Sequence, residues 1–212
     1  MLKYREVLKS SDIWTSFRNA VIYTGLGTVI NLIVTTIAAY PLSRSGLRGK
    51  RFFTLFFTIT MFFFSGGLIP TYLVNQQLGI VNTLWVMILP GALGVYNMIL
   101  MRTYFSQNIP NDLIESAYID GANDLWLLWK VVLPLATPII AVMAMFYGVG
   151  RWNAYFDALI YLQDRAKYPL QIILREILVQ GQFGQDMNQI IAGSAESELL
   201  MLKMVLLQSF KK

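Results

Sequence analysis

Four carboxylates, Asp112, Glu115, Asp120 and Asp124, fall in one stretch that runs on into Trp126, Leu127, Trp129 and Pro134. Their surroundings narrow the chemistry open to them. The 212-residue chain contains no His and no Cys, which removes the usual general base, the commonest metal ligand, thiolate nucleophiles and disulfides. An intramembrane enzyme built without them would need paired aspartates or a Ser and a Lys at membrane depth. The apolar runs hold no acidic residue except Asp157, near the end of one of them. No catalytic residue and no metal ligand is therefore expected. Residues 45–50, SGLRGK, have too few positions between their glycines for a Walker A cradle, so the chain is not expected to hold ATP phosphates in that way. The acidic stretch has instead the pattern of helix starts. Asp112 and Glu115 have capping-box spacing, and Asn123 can cap a second helix behind Gly121. A short helix over about 113–119, a sharp turn at Gly121 and a second helix through Trp126 and Trp129 are expected. Taken alone, these carboxylates could simply complement helix dipoles in a solvated linker.

The elements around this stretch are apolar. The chain is 56% hydrophobic and 14% charged, with mean hydropathy +0.52, against about a quarter charged in soluble domains. Residues 19–43 and 52–101 carry no charged side chain, and roughly 20 apolar residues suffice to cross a bilayer as a helix. The polar residues 75–82, NQQLGIVN, divide the second gap. Spans are expected at about 18–43, 52–74, 82–102 and 131–162, the last interrupted by Arg151, Asn153 and Asp157. The fold class is thus all-α, a polytopic membrane helical bundle with about four transmembrane helices in contact with membrane lipid. The net charge of +5 is scattered at the ends of apolar runs, which suits membrane orientation rather than nucleic acid. Loop 43–51 carries Arg44, Arg48, Lys50 and Arg51, whereas 75–82 carries no basic residue. By the positive-inside rule the first loop is cytoplasmic and the second external. Parity puts 106–130 in the cytoplasm and both 1–17 and 164–212 outside, although 1–17 carries basic residues of its own. No signal-peptide pattern opens the chain.

Pro41, Pro70, Pro90, Pro134 and Pro138 lie in or beside the apolar runs and should bend their helices. Asn31, Asn97, Tyr96 and Tyr147 place polar groups at membrane depth, where they either join helices or line a path through the bundle. Residues 168–182 repeat apolar side chains at Leu170, Ile173, Leu174, Ile177 and Leu178, the spacing of an amphipathic helix.

The spacing that starts at Glu115 carries a resemblance. Glu115, Ala117, Gly121 three residues on, Val131 after nine more, then Leu133-Pro134 resembles the cytoplasmic signature of permease subunits of binding-protein-dependent ABC importers, with Ser116 for Ala and Val131 for Ile as departures. Residues 17–44, 62–74, 120–122 and 152–162 are similar to the carbohydrate-uptake branch, and within it to subunits used for oligosaccharides or polysaccharide fragments. The resemblance implies a type I ABC importer permease-like bundle in a bacterial plasma (inner) membrane, with 106–130 as a coupling segment. It implies as partners a second permease subunit, ABC ATPase subunits that bind the ATP, an extracytoplasmic solute-binding protein and a sugar substrate, with no cofactor in this chain. Glu115, Ala117 and Gly121, supported by Asp120, would dock on the ATPase. A sugar path would want aromatic faces and amides, which Asn97, Tyr147, Trp152, Asn153 and Tyr155 offer. Another solute, such as a peptide or amino acid, and a truncated non-transporting membrane protein stay open. The family pattern has six spans, so the first and last are expected to be missing from this stretch of chain.

Overall fold

A computed structural model describes residues 11–63 and 66–179. The long helix α1, Ser11–Ser43, is its spine. At 33 residues it is about 50 Å long, more than the hydrocarbon layer needs. It starts well before the expected boundary at residue 18, because charge limits the apolar stretch and not the helix. Its last turn ends in carbonyls with no partner inside the helix. Arg102 Nε donates to the Leu42 carbonyl (3.1 Å) and Ser106 Oγ to that of Ser43 (3.2 Å). Lys50 Nζ donates to Ser43 and Arg44 (3.3 and 3.1 Å). Cations at this helix end also oppose the negative pole of its dipole.

Only the first of the four apolar runs is one helix. The second divides into α2, Lys50–Phe63, and α3, Leu68–Gln77, where Gly67 takes φ 74° at the start of α3. The third divides into α4, Leu84–Ile88, and α5, Val95–Asn108. Pro90 supplies no N–H there, and Gly91 turns the chain at φ 70°. The acidic stretch follows as α6, Asn111–Ile119, and α7, Asp124–Leu127. The fourth run is not continuous over 131–162. From α7 the chain passes through a widened turn, Leu128–Val132, and a single turn, Leu133–Leu135. It then bends by 83° into α8, Thr137–Trp152. Pro134 and Pro138 flank that bend, each lacking the donor that would hold a straight helix. Asn153 and Ala154 separate α8 from α9, Tyr155–Tyr161. Among the described residues, α1 alone is long and apolar enough to cross a membrane unbroken, and the number is up to three if each bent pair, α2 with α3 and residues 124–135 with α8, counts as one span.

α1 packs most extensively on α8 and then on α5. One core cluster joins Ala39, Met98, Met101, Phe105, Leu127, Val132 and Met143 near the Arg44 end. A second joins Tyr23, Val86, Met87, Ala158, Tyr161 and Ile172 near the opposite end. That opposite end is stapled by loop 162–168. Asn82, at φ 59°, accepts from the N–H groups of Gln163 and Asp164 (3.1 and 3.3 Å) and donates to Asp164 Oδ2 (2.9 Å). Lys167 Nζ reaches Asp164 Oδ2 (2.6 Å) and the Asn82 carbonyl (2.8 Å). Asn19 and Tyr23 of α1 donate to the carbonyls of Ala166 and Lys167. Residues 170–179 are helical, but the buried face is Ile172 and Ile173, while Leu174, Ile177 and Leu178 are exposed. The rest of the expected tail lies outside the described residues.

Candidate functional site

The acidic stretch folds as an elbow, α6 followed by a sharp turn and α7. α6 is closed by paired backbone bonds, Ala122 N–H to the Ala117 carbonyl (2.9 Å) and Gly121 N–H to that of Tyr118 (3.0 Å). This is the Schellman arrangement, with Gly121 in the left-handed region at φ 81°. Ala117 and Gly121 thus meet in one motif, as their types allow. Asn123 then caps α7, its Oδ1 accepting from the Trp126 N–H (2.7 Å), as its position predicted. The expected capping box does not form. Pro110 occupies the cap of α6 and offers no side-chain acceptor, so Asp112 falls in the first turn. Across the elbow the Tyr118 hydroxyl donates to Asp124 Oδ1. That bond, helped by desolvation and by the Asp124 charge, pushes the Tyr118 phenol up to about 12.

Glu115 is exposed, and among the described residues its carboxylate has no hydrogen bond or ion pair. Beside it the elbow bares apolar surface, with Ile119 86% and Leu125 70% exposed. The inner side of α6 is held to the bundle by Ile114, which is buried. A cleft of about 570 Å³ separates the elbow from the end of α1, with Tyr40, Arg44 and Leu47 on one wall and Glu115, Tyr118 and Leu125 on the other. A smaller hollow of about 370 Å³ lies in the bend itself, lined by Ala117, Asp120, Gly121, Asn123 and Trp126. Ala117, Asp120 and Gly121 therefore sit within one motif, with Glu115 just before it on α6, lining the cleft that faces Arg44.

The five path candidates are not gathered together. Asn97 lines a cavity of about 410 Å³ with Thr60, Met61, Gly94 and Tyr96. Tyr147 stands behind it, 7% exposed. Its hydroxyl lies 2.6 Å from Thr35 Oγ1 and accepts from the Gly94 N–H at 3.2 Å. Trp152 meets the Phe17 ring edge-on, Asn153 Nδ2 closes α8 on the Val149 carbonyl, and Tyr155 lies under the Arg175 guanidinium.

Sequence reasoning treated Arg151 only as an interruption. In the structure its guanidinium donates to the carbonyls of Met87 (2.7 Å), Ile88 (2.8 Å) and Pro90 (3.2 Å) and to Asn31 Oδ1 (3.1 Å). Asn31 is 1% exposed. Gly27 makes room for the crossing, since a Cβ there would lie 3.3 Å from the Arg151 side chain. The available signal was physical: a charge in an apolar run is expensive and must find partners.

A helical bundle clothed in exposed apolar side chains, with a hydrogen-bonded polar centre within, is an integral membrane component. The chain belongs to the family of binding-protein-dependent transport system inner membrane components, whose profile matches residues 31–208. It is 41% identical over 196 residues to the polygalacturonan/rhamnogalacturonan transport system permease protein YtcP of Bacillus subtilis (strain 168), covering 92% of this chain and 68% of that protein. It is 40% identical over 176 residues to Protein LplC of the same organism, covering 83% and 59%. Its fold matches that of a bacterial ABC transporter involved in the import of the acidic polysaccharide alginate, with TM-score 0.80 and 39% identity over 84% of this chain and 62% of that one. The chain therefore spans from 59% to 68% of the lengths of these proteins.

Proposed function

We propose that this chain is the permease subunit of an ABC importer for an oligosaccharide, doing no covalent chemistry itself and passing the closing motion of separate ATPase subunits to its helices. The observation that carries this reading is the elbow. A rigid Schellman turn holds exposed Glu115 and bare Ile119 at one end of the bundle, and an unpaired carboxylate beside apolar surface suits a protein partner with a basic or amide-bearing groove. The basic Arg44 end then faces the cytoplasm, and the Asn82–Lys167 cap faces outward toward a solute-binding protein. The polysaccharide names of the relatives support a saccharide cargo. Asn97, in its cavity beside Gly94, is the path residue placed to meet it, while Trp152, Asn153 and Tyr155 lie toward the outer end. A second permease subunit would supply the other wall of the path.

The absence of cysteine makes a direct test clean. Ile119→Cys in the full complex should crosslink to the ATPase subunit through a short bifunctional reagent, and a cysteine replacing Ala166 in the outer loop should not. Crosslinking from the outer loop, or none from the elbow in an active complex, would overturn the reading.

A further inference from the structure

The break between α4 and α5 is held from both sides by residues one helical turn apart. Arg151 takes the carbonyl end of α4, at Met87, Ile88 and Pro90. Tyr147, four residues earlier on α8, takes the Gly94 N–H that opens α5. Each of these two side chains is backed by one from α1, Asn31 behind Arg151 and Thr35 behind Tyr147, again four residues apart. The result is a two-rung polar ladder between α1 and α8 that grips residues 87–94 at both ends. Close packing is built into both rungs. Gly27 admits the Arg151 stem, and a Cβ on Gly94 would lie 3.3 Å from both the Tyr147 hydroxyl and Asn97 Nδ2.

Two properties mark this as more than helix glue. The three ion pairs among the described residues all involve Arg165 or Lys167, so Arg151 is held by carbonyls and an amide, not by a carboxylate. A planar guanidinium can serve several such acceptors at once, which an ammonium cannot do in the same geometry. The clamped break also forms the rim of the cavity that contains Asn97, since Leu93 and Gly94 line it.

We propose that Arg151 and Tyr147 are positioning residues that hold the 89–94 break as one rigid piece against α1, keeping the mouth of the Asn97 cavity in shape while the surrounding helices move. Its bearing on transport rests on the permease reading above; the clamp itself does not. Leu89 and Tyr96 flank the break and are exposed, so Leu89→Cys with Tyr96→Cys provides a spin-labelled pair in an otherwise cysteine-free chain. Their distance distribution is read in the assembled complex, nucleotide-free and vanadate-trapped, and in the full chain in lipid nanodiscs. With Arg151 intact, a single narrow peak is expected in all three. Both Arg151→Gln and Arg151→Lys should lose that single peak, because neither supplies the fork. An unchanged peak in Arg151→Gln, or its full rescue by Arg151→Lys, overturns the proposal. Should the Arg151 variants fail to accumulate, Tyr147→Phe decides. It removes one oxygen from the second rung and should broaden the peak, and an unchanged peak there also overturns it. If no ATPase subunit assembles with the unmutated chain, the permease reading fails while the nanodisc measurement still tests the clamp.

Discussion

Gly121 allows the coupling role to be tested without disturbing the core. Its φ is 81°, and a Cβ added there would meet no atom within 4 Å, so the penalty of a side chain is conformational and not steric. An L residue held in the left-handed region costs roughly 1–2 kcal/mol, and Asn tolerates that region best because its side chain bonds locally. Gly121→Ala should therefore strain the elbow by about 1 kcal/mol, β-branched Gly121→Val by about 2 kcal/mol, and Gly121→Asn by less than either. If the elbow must keep its folded turn to engage an ATPase subunit, docking weakens by a factor of roughly 5 for Ala and up to roughly 30 for Val. The assay is titration of purified ATPase subunit onto the permease complex, read beside solute uptake per ATP hydrolysed. Thermal unfolding of the bundle serves as control and should change little, because Gly121 is exposed and a side chain there meets no atom of the bundle. Equal docking by the Asn and Val variants would refute the argument, since it would mean that the backbone geometry at residue 121 is not what the partner reads.

Tyr118→Phe removes the bond to Asp124. The folded phenol is raised to about 12 from the ordinary 10.0, so the bond's contribution is complete below pH 10 and fades as pH rises toward 12; ultraviolet titration should show a late tyrosine that this variant lacks. Asn82→Ala removes three side-chain bonds to loop 163–164 and should destabilise the outer cap by about 1–3 kcal/mol in a denaturant titration; Asn82→Gly, which keeps the positive φ accessible, should lose somewhat less. Asp164 is held below the usual carboxylate range by Lys167 and Asn82, so its support is present at neutral pH and is lost on acidification below about pH 4; protection of the 163–168 amides, measured as exchange relative to the intrinsic rate at each pH, should fall there. Arg102→Gln should uncap α1 at Leu42 and lower stability by about 1.5–3 kcal/mol, measured as a shift in thermal unfolding in detergent.

Local chemistry was legible and distant pairing was not. The turn at Gly121 and the cap at Asn123 could be read because each depends on residues within a few positions of itself. The elbow signature from Glu115 to Pro134 likewise belongs to one continuous stretch. The break at Pro90–Gly91 was harder, because apolar character runs through it and hydropathy reports burial in lipid, not continuity of a helix. Arg151 escaped because its acceptors lie 61 to 120 positions away, beyond any periodicity. For the helix over 170–179, apolar residues lie on more than one face, so spacing alone could not choose Ile172 and Ile173 over Leu174, Ile177 and Leu178.

The Arg151 guanidinium has an electrical consequence. A unit charge carried across a membrane potential gains or loses about 2.3 kcal/mol per 100 mV, so a cation free to travel with a swinging helix would make turnover depend on voltage. Arg151 makes no ion pair among the described residues, and three of its four acceptors belong to residues 87–90. Lashed in this way, the charge stays where the field finds it, and energised and de-energised cells should drive this part of the machine at the same rate.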